Sequence, residues 1–414
     1  MPSFQNVGGD AYKPGLERID QFCHYLGSPQ REYMVVHVAG TNGKGSTSHM
    51  MASVLQSAGY RVGLFTSPHL RDFRERMRID GEMIGEADVV EFVERHREEM
   101  ERLQLSFFEM TAAMAFDHFA RCGVEVAVIE TGLGGRLDAT NIVTPLLSVI
   151  TNIGIDHTKF LGDTIEAIAS EKAGIIKSGV TVVLGESSAE YDHVFEQKAK
   201  EVGSPMIYAQ REVEWLGSIP LNGQQRFELK FDDEAFCVDL DMGGEYQCHN
   251  IVTACAALRY LDMSTPINID RDALLHGMNS VVSSTSLLGR WYTLSESPRV
   301  VCDTGHNSHG IKYVTNQLRS ESYHRLICVL GFSNDKDLGE IIPMFPRDGY
   351  YIFTHPKVER AFQPQEIAKV AESLGYQCEI VMSVGDALAK ARSMAQSDDL
   401  IFVGGSNFVV AEVV

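Results

Sequence analysis

A chain of 414 residues, 44% hydrophobic and 22% charged, has room for two to three globular domains and is neither disordered nor fibrous. Its formal net charge of −20 argues against nucleic acid or an anionic membrane as partner, since both need a broad positive field. Anionic ligands must be met locally, by single Lys or Arg side chains, metal ions or helix N-termini. The eight cysteines are scattered with no C-x-x-C pair, a pattern of buried thiols in a reducing compartment rather than of disulfides or zinc. MPSFQNVGGDAYKPG lacks a basic-then-apolar leader, and no run approaches the ~18 apolar residues of a membrane span. The expectation is a soluble, acidic, cytoplasmic chain.

In chain order, YMVVHVA (Tyr33–Ala39) reads as a buried strand, followed by a Gly-rich turn and a helix, STSHMMASVLQSA, that Gly59 ends. RVGLFTS, VEVAVIE and LLSVIT are further strands, separated by helical stretches such as EADVVEFVERHREEMERL. Strands spaced by helices predict parallel βαβ units in a doubly wound α/β sheet. Glu212–Asp241 differs: REVEWLG, QRFELKF and AFCVDLD read as short antiparallel strands attached to the first domain. Helices follow at Cys248–Leu261 and Arg271–Met278, then a polar run, VVSSTS. The strand–helix rhythm restarts with RVVCD, RLICVLG, YYIFT, CEIVM and LIFVGG, which places a domain boundary near Ser284–Leu288.

The strongest local signal is Gly40-Thr41-Asn42-Gly43-Lys44-Gly45-Ser46, between strand and helix. Glycines let backbone N–H groups close around phosphate oxygens, and Lys44 adds a point charge. It departs from a Walker A loop: Val38 stands five positions before Gly43, and Gly45 replaces the Ser or Thr that holds Mg²⁺. Hard oxygen ligands must then come from another strand end. Ser67 in FTSPHL and Glu130 in VIETGLGGRLDATN are the candidates. Position alone leaves Glu130 open to a plain reading as a solvated strand end, though the Gly-rich segment after it favours a site. His157, after Asp156, reads from spacing as an ordinary hydrogen-bonding histidine. Lys172 reads as a helix-surface lysine, and Arg290 as a linker arginine in a salt bridge. Asp303, in Asp303-Thr304-Gly305-His306-Asn307, ends a strand where it could accept from ribose hydroxyls.

The ordered set GTNGKGS, TSPHL, FFEMTAAMAF, ETGLGGRLDATN, DHTKFLG, EKAGIIK, HNIVTACAAL and DTGHN resembles the bifunctional dihydrofolate synthase/folylpolyglutamate synthase family of the Mur-ligase superfamily. The resemblance covers nearly the whole chain. It implies an N-terminal P-loop-type ATPase domain with a mostly parallel sheet, residues 1–285, holding ATP and pterin. A smaller C-terminal Rossmann-like ligase domain, residues 286–414, would follow, with the active site in the cleft. It implies that Gly40, Thr41, Asn42, Gly43, Lys44, Gly45 and Ser46 hold the ATP phosphates, and that Ser67 and Glu130 bind a first Mg²⁺. His157 would bind a second metal, beside a Lys172 carbamylated into a carboxylate-like group. Lys44, His157 and Lys172 would be the catalytic residues. Asn250, Arg290, Asp303 and His306 would contact nucleotide. Ser106, Phe107, Phe108 and Glu109, with Leu137, Asp138 and Ala139, would line the pterin site.

Two departures stand out. The family's Pro-Gly-Arg is Leu288-Gly289-Arg290 here, which removes a stiffening proline, and its Asp-Gly-Ala-His-Asn is Asp303-Thr304-Gly305-His306-Asn307. The expected activity joins L-glutamate to dihydropteroate or to a reduced folate with ATP, in a monomer. Alternatives are a Mur-type ligase of a cell-wall precursor, or a nucleotide-dependent binding module without ligase activity. The Phe107–Phe108 pair also fits a plain core role.

Overall fold

The structure is a computed structural model that describes residues 13–221 and 224–414. Most of the N-terminal segment searched for a leader therefore lies outside the described residues. No helix among the described residues is long and apolar enough to cross a membrane. The residues form two units: one runs through Asp241 and resumes over Gln247–Leu287, and the other comprises Met242–Tyr246 and Leu288–Val414.

The first unit is built on eight strands: β1 (Met34–Ala39), β2 (Val62–Phe65), β3 (Met77–Ile79), β4 (Glu82–Met83), β5 (Val126–Glu130), β6 (Leu147–Ile150), β7 (Thr181–Leu184) and β8 (Met206–Tyr208). Their order is β4-β3-β2-β5-β1-β6-β7-β8. The pairs from β2 to β8 are parallel, and only β3 runs against them, pairing antiparallel with β2 and β4 at one edge. The apolar strands are buried along their length because helices cover both faces, as parallel sheets require. The antiparallel edge hairpin is too short and too polar to announce itself in the sequence.

β9 (Val213–Leu221), β10 (Gln224–Phe231) and β11 (Glu234–Leu240) form a separate antiparallel sheet. Arg211 and Glu212, the first two residues of REVEWLG, belong instead to a helical turn, Ala209–Glu212. Of the eight cysteines, Cys237 on β11 is exposed and Cys122 and Cys378 are half-buried, so the expectation of uniformly buried thiols holds for five. All eight are free thiols.

The Lys44–Ser57 helix carries the end of the Gly40–Ser46 loop, and Ser46 through Leu55 are all buried. A helix buried on every side lies between the sheet and other helices, here Gln247–Ser264 and Arg271–Met278. Its small Ser, Thr and Ala residues permit close approach. At Gly277 the approach is backbone to backbone: a Cβ there would lie 2.5 Å from Val54 Cα and 2.8 Å from Val54 N. Ser53 Oγ donates to the Gly277 carbonyl at 2.6 Å. The polar run VVSSTS is helical over Val281–Thr285, with His49 Nδ1 and Thr285 Oγ1 2.7 Å apart. Its serines and threonines serve helix–helix hydrogen bonds rather than a flexible connection.

The second unit holds β12 (Tyr292–Glu296), β13 (Arg299–Cys302), β14 (Leu326–Leu330), β15 (Tyr350–Phe353), β16 (Gln377–Ile380) and β17 (Leu400–Gly404), in the order β12-β13-β17-β14-β15-β16. Only β12 is antiparallel to its neighbour. Apolar residues fill both faces of this sheet.

Gly277→Ala should lose about 1–3 kcal/mol of stability, because backbone cannot yield to the added methyl group and the gain in helix propensity is smaller. Urea unfolding measures it, and an unchanged midpoint would contradict the packing described.

Candidate active site

The Gly40–Ser46 loop follows β1 and is braced by the residues that follow the adjacent strand β6. Thr41 N donates to Asn152 O at 2.9 Å, and Asn42 N to Asn152 Oδ1 at 2.8 Å. Thr151 Oγ1 donates to Asn42 O at 2.6 Å. Thr41 Oγ1 donates to Gly154 O at 3.1 Å and lies 3.0 Å from Gly154 N. Glycine is required twice: Gly40 (φ +151°) and Gly43 (φ +79°) are in left-handed territory. A Cβ would strike Thr151 Oγ1 at the first and Asn250 Oδ1 at the second. Asn250 is held in turn by Nδ2 donating to Gln247 Oε1 at 2.7 Å. The brace from Thr151 to Gly154 was not singled out in the sequence; the Asn-Ile-Gly turn after an apolar strand was its only signal.

Two lysines converge on one carbonyl. Lys44 Nζ donates to Gly40 O at 3.0 Å and to Thr41 O at 3.1 Å, and Lys172 Nζ reaches Gly40 O at 2.8 Å. The structure corrects the surface reading of Lys172: it is 3% exposed on the helix Ile165–Ala173. Burial, then the charge of Lys44, pushes its amine down to about 7. Asp156 acts in the opposite direction. His157 (φ +52°) caps the short helix Thr158–Leu161 and takes Asp156 Oδ1 on its backbone N–H at 2.8 Å.

Glu130 ends β5 at 3% exposure, so it is not a solvated strand end. Its Oε2 accepts from Ser67 N at 2.9 Å, which joins the two residues proposed for one metal. Arg76, 4% exposed, is the nearby cation whose charge Glu130 favours. Its Nε donates to His69 Nδ1 at 2.8 Å, and its guanidinium lies 5.5 Å from the centre of the Phe107 ring. Phe73 meets Phe107 at 5.6 Å and Phe65 meets Phe108 at 5.9 Å. Sequence inspection missed Arg76 and His69, because an arginine in FRERMR looks like a surface charge.

The segments expected at the pterin have internal duties. Ser106 and Glu109 form a capping box for the Phe107–Arg121 helix. Glu109 Oε1 also accepts from Arg18 Nε at 3.0 Å. Asp138 takes Gly132 N and Leu133 N on one oxygen, and Thr140 N and Oγ1 on the other, between 2.5 and 3.0 Å. Thr140 Oγ1 lies 2.8 Å from Nε2 of the buried His37. Neither carboxylate is poised toward open space; each shapes its loop. Leu137 and Ala139 flank Asp138, and Phe107 and Phe108 are half-buried, with Phe108 packed against the core.

In the second unit Asp303 is buried, with Tyr246 OH (2.5 Å), Trp291 N (2.8 Å) and Gly305 N (2.7 Å) all donating to it. Its carboxylate therefore organises the turn after β13. Arg290 donates to Thr304 Oγ1, and His306 Nδ1 lies 3.0 Å from Thr304 O. These three residues are brought together at one strand end, with Tyr246 as a partner that sequence spacing could not supply.

The Mur ligase middle domain matches residues 38–258, and the Mur ligase glutamate ligase domain matches residues 289–407. The chain belongs to the Mur ligase family. It is 34% identical over 410 residues to a Haloferax volcanii protein named probable bifunctional folylpolyglutamate synthase/dihydropteroate synthase, covering 97% of this chain and 48% of that one. The chain thus spans about half the length of that relative. It is 30% identical to the Bacillus subtilis dihydrofolate synthase/folylpolyglutamate synthase, covering 97% and 94%. The Escherichia coli FolC structure in complex with DHPP and ADP is similar at TM-score 0.85 and 29% identity, over 99% of this chain and 94% of that one. The family placement and the α/β architecture expected from the motifs both hold.

Proposed function

We propose that this Mur ligase family member joins L-glutamate to dihydropteroate and to reduced folates, using ATP in the cytoplasm as a monomer. The observation that carries the reading is the convergence at neighbouring strand ends of a glycine loop, two lysines and a buried glutamate. Similarity to proteins named dihydrofolate synthase/folylpolyglutamate synthase, one solved with DHPP and ADP, supports the substrate class. A carboxylate oxygen of the pteroyl substrate attacks the γ-phosphorus of ATP, giving an acyl phosphate and ADP. The α-amino nitrogen of glutamate then adds to the carbonyl carbon, and phosphate leaves as the amide forms. No covalent enzyme intermediate is needed, so catalysis rests on alignment and charge neutralisation.

Lys44 and the backbone N–H groups of Gly40–Ser46 would hold the phosphates. Asn250 would set the loop, while Arg290, Asp303 and His306 would serve the nucleotide. Phe107 and Phe108 offer aromatic surface to a flat ring, with Ser106, Glu109, Leu137, Asp138 and Ala139 shaping the walls. Ser67 and Glu130 fit a hard cation: a buried carboxylate of this kind is costly without positive charge nearby. Bound there, Mg²⁺ would neutralise phosphate charge. His157 and Lys172 fit a second ion only if the lysine loses its charge. An amine pushed down to about 7 offers the free base that adds to CO₂, forming an N–C bond and releasing a proton, to give a carbamate.

Purified chain should release ADP with L-glutamate and either dihydropteroate or a monoglutamyl reduced folate, with amide product by mass spectrometry. Lys44→Ala should lower turnover about 100-fold or more with its circular dichroism intact. Product from folate alone would leave a tail-extending enzyme, and product from neither would contradict the reading.

Wild-type protein equilibrated with ¹³C-bicarbonate should show a carbamate carbon resonance that Lys172→Arg lacks. No such resonance in the wild type would refute the modification.

A further inference from the structure

Among the described residues, one group of three potential metal ligands lies away from the phosphate loop: His324, Asp398 and Asp399, whose ligand atoms fall within 4.8 Å of one another. They sit at the amino ends of β14 and β17, the paired central strands of the second unit. Asp303 and His306 lie at the opposite, carboxyl end of that sheet. The two entering loops are already tied by His324 N donating to Asp398 O at 2.9 Å and Leu400 N donating to Arg325 O at 3.0 Å.

Asp399 distinguishes this group from an ordinary acidic surface. The residue is 2% exposed. Its Oδ2 accepts from Arg325 Nη2 at 3.0 Å and from Gln396 N at 2.9 Å, which fixes the carboxylate plane. Its Oδ1 is buried. That oxygen's one close partner is the exposed His324, whose Nδ1 lies 3.4 Å away. Two ligands about 2.05 Å from a tetrahedral zinc ion stand about 3.3 Å apart, so the separation is that of two vertices of a zinc site. Asp398, exposed beside them, can swing in as a third ligand, leaving a fourth position for water. Two carboxylates against one Arg325 leave a negative balance that a divalent cation offsets. The imidazole selects a zinc-like ion over Mg²⁺, and the Arg325 and Gln396 contacts supply the outer hydrogen bonds that orient a ligating carboxylate.

We propose that His324, Asp398 and Asp399 form a zinc-type divalent cation site that pins the starts of β14 and β17. It is a structural site, remote from glutamate transfer. The test is calorimetric titration of tag-free, chelator-stripped full-length chain with Zn²⁺ in excess Mg²⁺, repeated with Co²⁺ for its visible spectrum. Wild type should bind one equivalent that His324→Ala loses or binds at least about tenfold more weakly. Because the His324 side chain is 69% exposed, that variant should fold and keep its ADP release. Glu130→Gln should retain the equivalent, which separates it from any metal at the phosphate loop. Asp399→Asn, judged only if its circular dichroism is wild-type, should lose it as well. Equal binding by wild type and His324→Ala, or no Zn²⁺ bound by the wild type, would overturn the proposal.

Discussion

Everything in the first unit's candidate site depends on the Gly40–Ser46 loop being held by its neighbour strand. A loop with two left-handed glycines has little reason to keep one shape, since glycine loses more conformational freedom on ordering than any other residue. The hydrogen bonds from Thr151, Asn152 and Gly154 supply that reason. They tie the turn after β1 to the turn after β6, and the parallel pairing of the two strands sets the spacing. With the loop fixed, its Gly40 carbonyl becomes the common acceptor for two lysines that would otherwise repel. The fold thus places the charge of Lys44 beside an easily deprotonated Lys172 in a chain whose net charge is −20. For the proposed ATP, such a chain would rely on short-range neutralisation rather than long-range attraction.

The same economy appears around Glu130. Its carboxylate is buried where β5 ends, one oxygen engaged by Ser67 N, with Arg76 supplying nearby charge. Arg76 also lies against Phe107, linking the carboxylate end of the sheet to the aromatic surface. Asp138 and Glu109 work differently. Their oxygens are engaged by their own loop, helix cap and Arg18, so they fix local shape. Asp303 does the same for the turn after β13.

Much of this was legible in the sequence, and the boundary is physical. Strands such as VAVIE are apolar throughout and could be read from period and flanks. The glycine loop was legible because its backbone demands a residue type. The burial of Lys172 was not legible, although the family resemblance pointed to the residue, because a lysine in an EKAG helix looks like a surface cation until its neighbours are in place. Thr151, Asn152, Arg76 and Tyr246 act through partners far along the chain, and a single sequence does not bring such partners together. The VVSST helix showed in the sequence only as a polar run, because its Ser284 and Thr285 bond other helices.

The central claim is that the β6 brace, and not the glycine loop alone, makes the nucleotide site. Calorimetric binding of a non-hydrolysable ATP analogue to Thr151→Val tests it most directly. The substitution keeps the branched shape and removes the hydroxyl that donates to Asn42 O at 2.6 Å. The account predicts a Kd raised about tenfold, or about 1.4 kcal/mol, with circular dichroism unchanged. A Kd equal to that of the wild type would contradict it.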